Sequence, residues 1–500
     1  MRQKTYDILP ARRAAFAPLH REILGPACLR YMLVLSMLLR LHLAIWLCIA
    51  QAGCAQVEKT TLSDRIEEDA IRREDPVLIS GFDIEPLLGT SPETIVAFRY
   101  TDKWEQIPVQ IDQRKVTTFA NLYNSSTLSE NEEEAKSLFY TDENSYTGGD
   151  DDPLFDSDDE LVFMARDAGR KFSSLSEPDG VRKDSGIEIR VWDPLRTNVS
   201  GYVYLFESAG ALEPSAGRSY GTYEFMLLNG DYLENYRIEG GPNPEETWYR
   251  SKYYERRFSD RWKTDRLRIK KGNASGENII DMAKLMFAPG HCDRHVGTFN
   301  SGAGCFAANK DGPVRSIRSY LGANSGMLTQ RVHLFYESRE DVHTHLRVHT
   351  IRGAATFYDY KTGLKGMRYC NNLNPECVQI DGKDDEVEVG IVSWEMIEGP
   401  AGSMLLSHRF ISPKDVPRTS YYRDESPALI TQCDGDESMW GFSGIWINDT
   451  IPNTDPRIEG YEQFHVVTTH IYEGPGVTFH SAEEKDNIAR NSVKASIRKL

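Results

Sequence analysis

Short apolar runs, each cut off by a polar turn before it could complete a few helical turns, recur along this chain and restrict it to a β-rich fold. Segments 95–100, 106–111, 160–164, 202–206, 223–228, 404–411 and 464–472 all have this form. Ile187, Ile189 and Val191 alternate with Glu188 and Arg190, the period of two expected of a half-buried strand. Asn229-Gly230, Asp311-Gly312, Asp381-Gly382 and Asp434-Gly435 supply the turn dipeptides that hairpins use. Helical patterning is confined to 277–287 and 483–490. No internal repeat on the scale of a solenoid or propeller is present. The expected fold class is therefore mostly β: antiparallel β-sandwiches with few short helices.

A chain of 500 residues exceeds the usual single domain. We expect an N-terminal β domain over 76–210, a large β-sandwich domain over 211–485 and a C-terminal tail at 486–500. Residues 56–75 are polar and charged, and read as a linker or short helix. Residues 1–55 differ from the rest. Arg2, Lys4, Arg12, Arg13, Arg21 and Arg30 precede an apolar run at 31–50, which ends in the small residues Ala50, Ala52, Gly53 and Ala55. That order describes a secretory signal peptide. An uncleaved signal anchor is the rival, opposed by Arg40, because an arginine at the centre of a span costs about 2.5–3.5 kcal/mol. Membrane association is expected only in that second case.

Cysteine and sequon usage agree with export. Short loops close at least entropic cost, so Cys292 is expected to pair with Cys305, and Cys370 with Cys377. Cys433 is then left for Cys54 or another chain. The spacings match no zinc pattern. Asn124, Asn198, Asn273 and Asn448 each open an N-glycosylation sequon.

The formal charge of −17 disfavours nucleic acid as a partner and favours cations, mineral surfaces and basic proteins. Acidic residues concentrate in a loop at 130–160, whereas 250–271 is basic, and the two blocks can face each other within the molecule. Asp156, Asp158 and Glu160 alternate, and their carboxylates can converge on calcium, which takes about six to eight oxygen ligands. No other cofactor is expected.

The best-patterned strand is 342–350. Val342, Thr344, Leu346 and Val348 point one way, and His343, His345, Arg347 and His349 point the other. A rise of about 3.3 Å per residue allows His343 and His345, but not His349, to share one metal. The same face can also act as the polar floor of a groove, with histidine as acid or base and arginine as charge neutraliser. The glycines and Asn324 between Arg315 and Gly326 read as a tight loop that brings Arg318, Tyr320 and Arg331 beside that strand. No nucleophile elbow, Walker loop, dinucleotide fingerprint or zinc-protease helix occurs.

Ile107-Pro108-Val109-Gln110-Ile111-Asp112, together with the stretch from Asp158 to Gly169 and the Arg315 segment, resembles a module of large secreted bacterial β proteins of unknown function. Some of these accompany polysaccharide-degrading systems, and the resemblance carries no agreed active site. In composition the chain is similar to organic matrix proteins of coral skeletons. The leading expectation is a secreted, acidic extracellular matrix protein associated with calcium or mineral. The alternatives are a carbohydrate-active enzyme (lyase or hydrolase) using His343, His345, Arg347, Arg318 and Tyr320, and a membrane-anchored cell-surface binding protein. Matrix, mineral or glycan is the expected partner.

Overall fold

The computed structural model describes residues 72–125, 135–172, 176–196, 199–229, 233, 244–289, 292–324, 326–429 and 432–500. The expected leader and most of the linker lie outside these residues. Among the described residues, no helix is long and apolar enough to cross a membrane.

The protein is mostly β, built of antiparallel sheets. Its centre is a nine-stranded sheet. In spatial order the strands are Cys305–Lys310, Ser316–Ala323, Gly326–Phe335, Arg339–Leu346, Phe464–Glu473, Gly402–Ser412, Trp394–Gly399, Arg368–Asn371 and Asn374–Gln379. One face packs against two four-stranded sheets. The first runs Gly221–Glu224, Thr247–Ser251, Tyr254–Phe258, Thr264–Ile269. The second runs Ile280–Phe287, Ala354–Tyr360, Met439–Ile447, Thr419–Glu425. Tyr254, Phe258, Tyr358, Phe335, Met404 and Tyr472 meet in the shared core.

The other face of the central sheet is covered too. Val162 and Met164, from the strand Glu160–Met164, pack on Ile317, Val332 and Leu334. Ala482 and Ala489, from the helix Phe479–Arg490, pack on Trp394, Met396 and Leu405. Thr478 caps that helix by accepting the Ser481 N–H. A central sheet buried on both faces must hide polar side chains as well as apolar ones, and this governs where the candidate site residues fall.

Several expectations are corrected. Ala70–Leu500 forms one compact unit, with no break near residue 210. The segment 486–500 is not a tail. It completes the helix and then forms the strand Lys494–Lys499, which pairs with Ile187–Trp192 at the edge of a five-stranded N-terminal sheet. The segment 277–287 is not helical, because Ile280–Phe287 pairs along Ala354–Tyr360. Its Met, Ala, Lys and Leu favour a helix by propensity, but burial of Ala283, Leu285 and Phe287 against a neighbouring strand overrides that preference. The Arg315–Gly326 segment is not a loop either, since Ser316–Ala323 is an inner strand. Gly322 breaks its register rather than ending it. At φ 99° it forms an irregularity between Leu321 and Ala323, and a Cβ there would lie 2.2 Å from the Ala303 carbonyl oxygen.

Cys292 bonds Cys433, not Cys305, while Cys370 bonds Cys377. Cys305 is a free, buried thiol packed among Phe119, Leu122 and Leu328, and burial pushes its pKa up to about 12. Asn124, Asn273 and Asn448 are exposed, and Asn198 lies outside the described residues.

Candidate functional site

The strand Arg339–Leu346 lies between Gly326–Phe335 and Phe464–Glu473. Its alternation sends Glu340, Val342, Thr344 and Leu346 into the sandwich and leaves Asp341, His343 and His345 on the other face. His465 stands directly across from His345 in the neighbouring strand. The three imidazoles gather: His343 Nδ1 is 3.2 Å from His465 Nε2, and the His345 and His465 rings stack with centroids 4.1 Å apart. All three are half-buried. Burial lowers the pKa of each. Arg347 and its neighbouring histidines reinforce this at His345, and His343, Arg347 and Arg409 take His465 down to about 4. Burial thus favours the neutral form of all three rings. Arg347 lies just past the strand end, tied to the Leu328 carbonyl and Gln330 at 3.1 Å each and to Ser137 at 3.3 Å. His349 is exposed and apart from the cluster.

Arg318 and Tyr320 do not join this face. Arg318 is in register with His333, and Tyr320 with Arg331, on the sandwich side of the same sheet. Tyr320 donates to or accepts from His333 Nε2 at 3.0 Å. Arg318 grips Glu245 with both nitrogens, at 2.8 and 2.7 Å. The expected groove lined jointly by His343, His345, Arg318 and Tyr320 does not exist, because a sheet thickness separates the two sets.

On the sandwich side Glu340 is the hub of a buried network. It accepts from Arg256 at 2.5 Å and Tyr472 at 2.8 Å, and contacts His333 at 2.6 Å and His470 at 3.3 Å. Beside it lies a cavity of about 80 Å³ bordered by Arg256, Lys284, Tyr358, Glu395, His408 and His470. Burial drives the His333 pKa down to about 3, despite the raising effect of Glu340. The unfolded chain binds that proton below about 6.5 and the folded one only near 3. Stability from this group is thus complete above pH 6.5 and is expected to fall as the pH drops toward 3. Urea melts across that range should show a shallower fall for His333→Gln, which takes up no proton. An equal slope would remove His333 as a cause.

The acidic segment is also rearranged. Glu160 is unavailable to a cation. It is bound by Arg114 at 2.7 Å, Arg315 at 2.6 Å and the Tyr140 hydroxyl at 2.7 Å. Burial alone would raise its pKa, but Arg315 and Arg114 hold it down to about 2. Asp156 turns back to accept the Asp158 N–H at 2.9 Å. The carboxylates that converge are Asp150, Asp158 and Asp159, each offering an oxygen within 4.8 Å of the others. Asp159 is satisfied by the N–H groups of Arg114 and Asp156. Asp150 Oδ2 and Asp158 Oδ1 are buried without a hydrogen-bond partner. Burial, then the neighbouring Asp156, pushes Asp158 up to about 7, and burial takes Asp159 to about 6. The basic block does not neutralise them. Among the described residues, Arg250, Arg257 and Lys271 pair instead with Glu224, Glu246 and Glu74.

Sequence spacing missed His465, which lies 122 residues from His343. It also missed Asp150, whose approach to Asp158 and Asp159 depends on how the segment folds back.

No family model and no curated protein matches this sequence. Among solved structures, an alpha-mannosidase from Enterococcus faecalis V583 aligns with a TM-score of 0.39 at 8% identity. The alignment covers 86% of this chain and 47% of the mannosidase chain, so this chain spans about half the length of that protein. A likeness at that TM-score carries no argument about function.

Proposed function

We propose that this protein is an exported, acidic extracellular matrix component that binds calcium at Asp150, Asp158 and Asp159 and through it engages mineral or anionic glycan. The observation that carries this reading is the pair of buried, unpartnered carboxylate oxygens on Asp150 and Asp158. Buried polar atoms are normally satisfied, and a hard cation would satisfy both at once. Two disulfides suit an oxidising compartment. Exposed sequon asparagines suit a glycosylated surface.

Isothermal titration of the purified chain with Ca²⁺ is expected to give one saturable site, absent in Asp150→Asn/Asp158→Asn. Heat of binding that is unchanged in the variant, or absent in the wild type, would sink the proposal.

A second reading, a carbohydrate-active lyase or hydrolase, is favoured by the cavity between the sheets. His408 and Glu395 form a 3.2 Å pair on its wall, and Arg256 lies close by. A base beside a cation is the minimum equipment for proton abstraction next to a carboxylate. Turnover of uronic-acid polymers by the wild type and not by His408→Ala would favour this reading over the first.

A further inference from the structure

We infer that His343, His345 and His465 form a binding site for one transition-metal ion of the zinc class, held by three imidazole nitrogens with the fourth position open.

Four observations converge on this site. The first is donor spacing. A zinc–nitrogen bond of about 2.0–2.1 Å places two ligand nitrogens about 3.3 Å apart in a tetrahedral site. His343 Nδ1 and His465 Nε2 stand 3.2 Å apart, and one nitrogen from each of the three rings lies within 4.8 Å of the other two.

The second is how the cluster is built. His343 and His345 share a face because they are two residues apart on one strand, and His465 is the direct cross-strand partner of His345. The strand that carries His343 and His345 is paired on both sides, and its unbroken register with the His465 strand holds the three Cβ atoms in place before any ion arrives.

The third is the contrast with the other buried histidines. His295, His333, His408 and His470 each pair with a carboxylate, respectively Asp434, Glu340, Glu395 and Glu340. Among the described residues, no ion pair joins His343, His345 or His465 to a carboxylate. These three face one another instead. Stacking three imidazoles gives little by itself, whereas a shared Lewis acid engages all three lone pairs.

The fourth is donor chemistry. Three imidazole nitrogens and no oxygen suit Zn²⁺, Co²⁺, Ni²⁺ or Cu²⁺ and not Ca²⁺, which takes oxygen ligands. The site therefore differs in donor chemistry from the aspartate cluster and shares no residue with it. Arg347 and Arg409 add positive charge nearby. Asp341, the nearest carboxylate along the strand, is taken up by Arg339 at 3.0 Å and Thr469 at 2.7 Å. Under that balance the open position favours an anionic fourth ligand, either hydroxide or the carboxylate or sulfate of a substrate.

The test uses the full chain stripped of metal with a chelator and titrated with Co²⁺, whose visible absorption reports nitrogen ligation in a four-coordinate site. Zn²⁺ competition then gives the affinity. One equivalent of Co²⁺ with intense tetrahedral bands, displaced by Zn²⁺, is expected. Loss of outer-shell partners alone costs about 10–100-fold in affinity, so His345→Ala and His465→Ala should each lose at least about 100-fold. Circular dichroism identifies any variant that fails to fold, and His345→Gln, closer in size and polarity, serves in its place. Folded wild type that takes up neither ion overturns the inference. So does a folded His343→Ala/His345→Ala variant that binds as tightly as the wild type. Asp150→Asn/Asp158→Asn is expected to keep the Co²⁺ spectrum, so failure of the calcium reading leaves this one intact. Loss of the spectrum in that variant would overturn the assignment to the histidines.

Discussion

Arg318→Ala is expected to lower the unfolding free energy by about 3–5 kcal/mol, the range for removing one partner of a buried ion pair. Arg318 and Glu245 are essentially inaccessible, at 0% and 1% exposure. Both guanidinium nitrogens that face Glu245 donate to it, and the group also donates to the Arg261 carbonyl at 3.1 Å and the Tyr223 hydroxyl at 3.2 Å. It lies over the Phe258 ring at 4.2 Å. Truncation leaves a carboxylate in the sandwich with no counter-charge, and that uncompensated charge supplies most of the loss. Arg318→Lys should recover little, because a point charge on a flexible stem cannot reproduce the fork. Arg318→Met/Glu245→Leu should recover much of it, since a buried pair replaced by apolar groups of similar volume is often near neutral. Urea midpoints of the four proteins check this. A loss below about 1 kcal/mol for Arg318→Ala would mean that the pair contributes no more than an exposed ion pair does.

The same residue shows where the sequence could be read and where it could not. Alternation along 342–348 was visible, and the structure keeps Val342, Thr344 and Leu346 on one face and His343 and His345 on the other. The environment of each face was not visible. A period-two rule assigns polar side chains to solvent, which holds only when one face of a sheet is wet. Here both faces are covered, so Arg318, His333 and Glu340 sit inside on the same side as the apolar residues. Their burial depends on Glu245 and Arg256, which come from distant parts of the sequence. Helix against strand failed at 277–287 for a related reason: the partner strand, Ala354–Tyr360, is not local. The calcium expectation included Glu160, whose two arginine partners come from 114 and 315. In each case local pattern was legible, and the tertiary partner that decides the role was not.

Reduction of Cys292–Cys433 is expected to destabilise the protein about twice as much as reduction of Cys370–Cys377. The bonds close loops of 141 and 7 residues. In the chain-entropy treatment of the unfolded state these loops correspond to about 5 and about 2 kcal/mol. Preferring neighbouring cysteines as partners runs the same physics in reverse. A short loop is the easiest to close, and for that reason its bond removes least from the unfolded ensemble. The long bond also has a particular place in the fold. Ile280–Phe287 and Met439–Ile447 flank Ala354–Tyr360 in one four-stranded sheet without pairing with each other, and Cys292 and Cys433 tie the segments beyond them. Asp434, the next residue, accepts the Gly297 N–H at the start of the helix Val296–Ser301 and contacts His295. Loss of the bond therefore releases a helix start as well as a loop. For the unit Ala70–Leu500, an unfolding entropy of about 2.1 cal/mol/K per residue converts these values to about 5 °C and about 2–3 °C in Tm. Cys292→Ser/Cys433→Ser and Cys370→Ser/Cys377→Ser measured by calorimetry would show the difference. Equal shifts, or a larger one for the short loop, would mean that native-state packing around each bond, and not the constraint on the unfolded chain, decides its contribution.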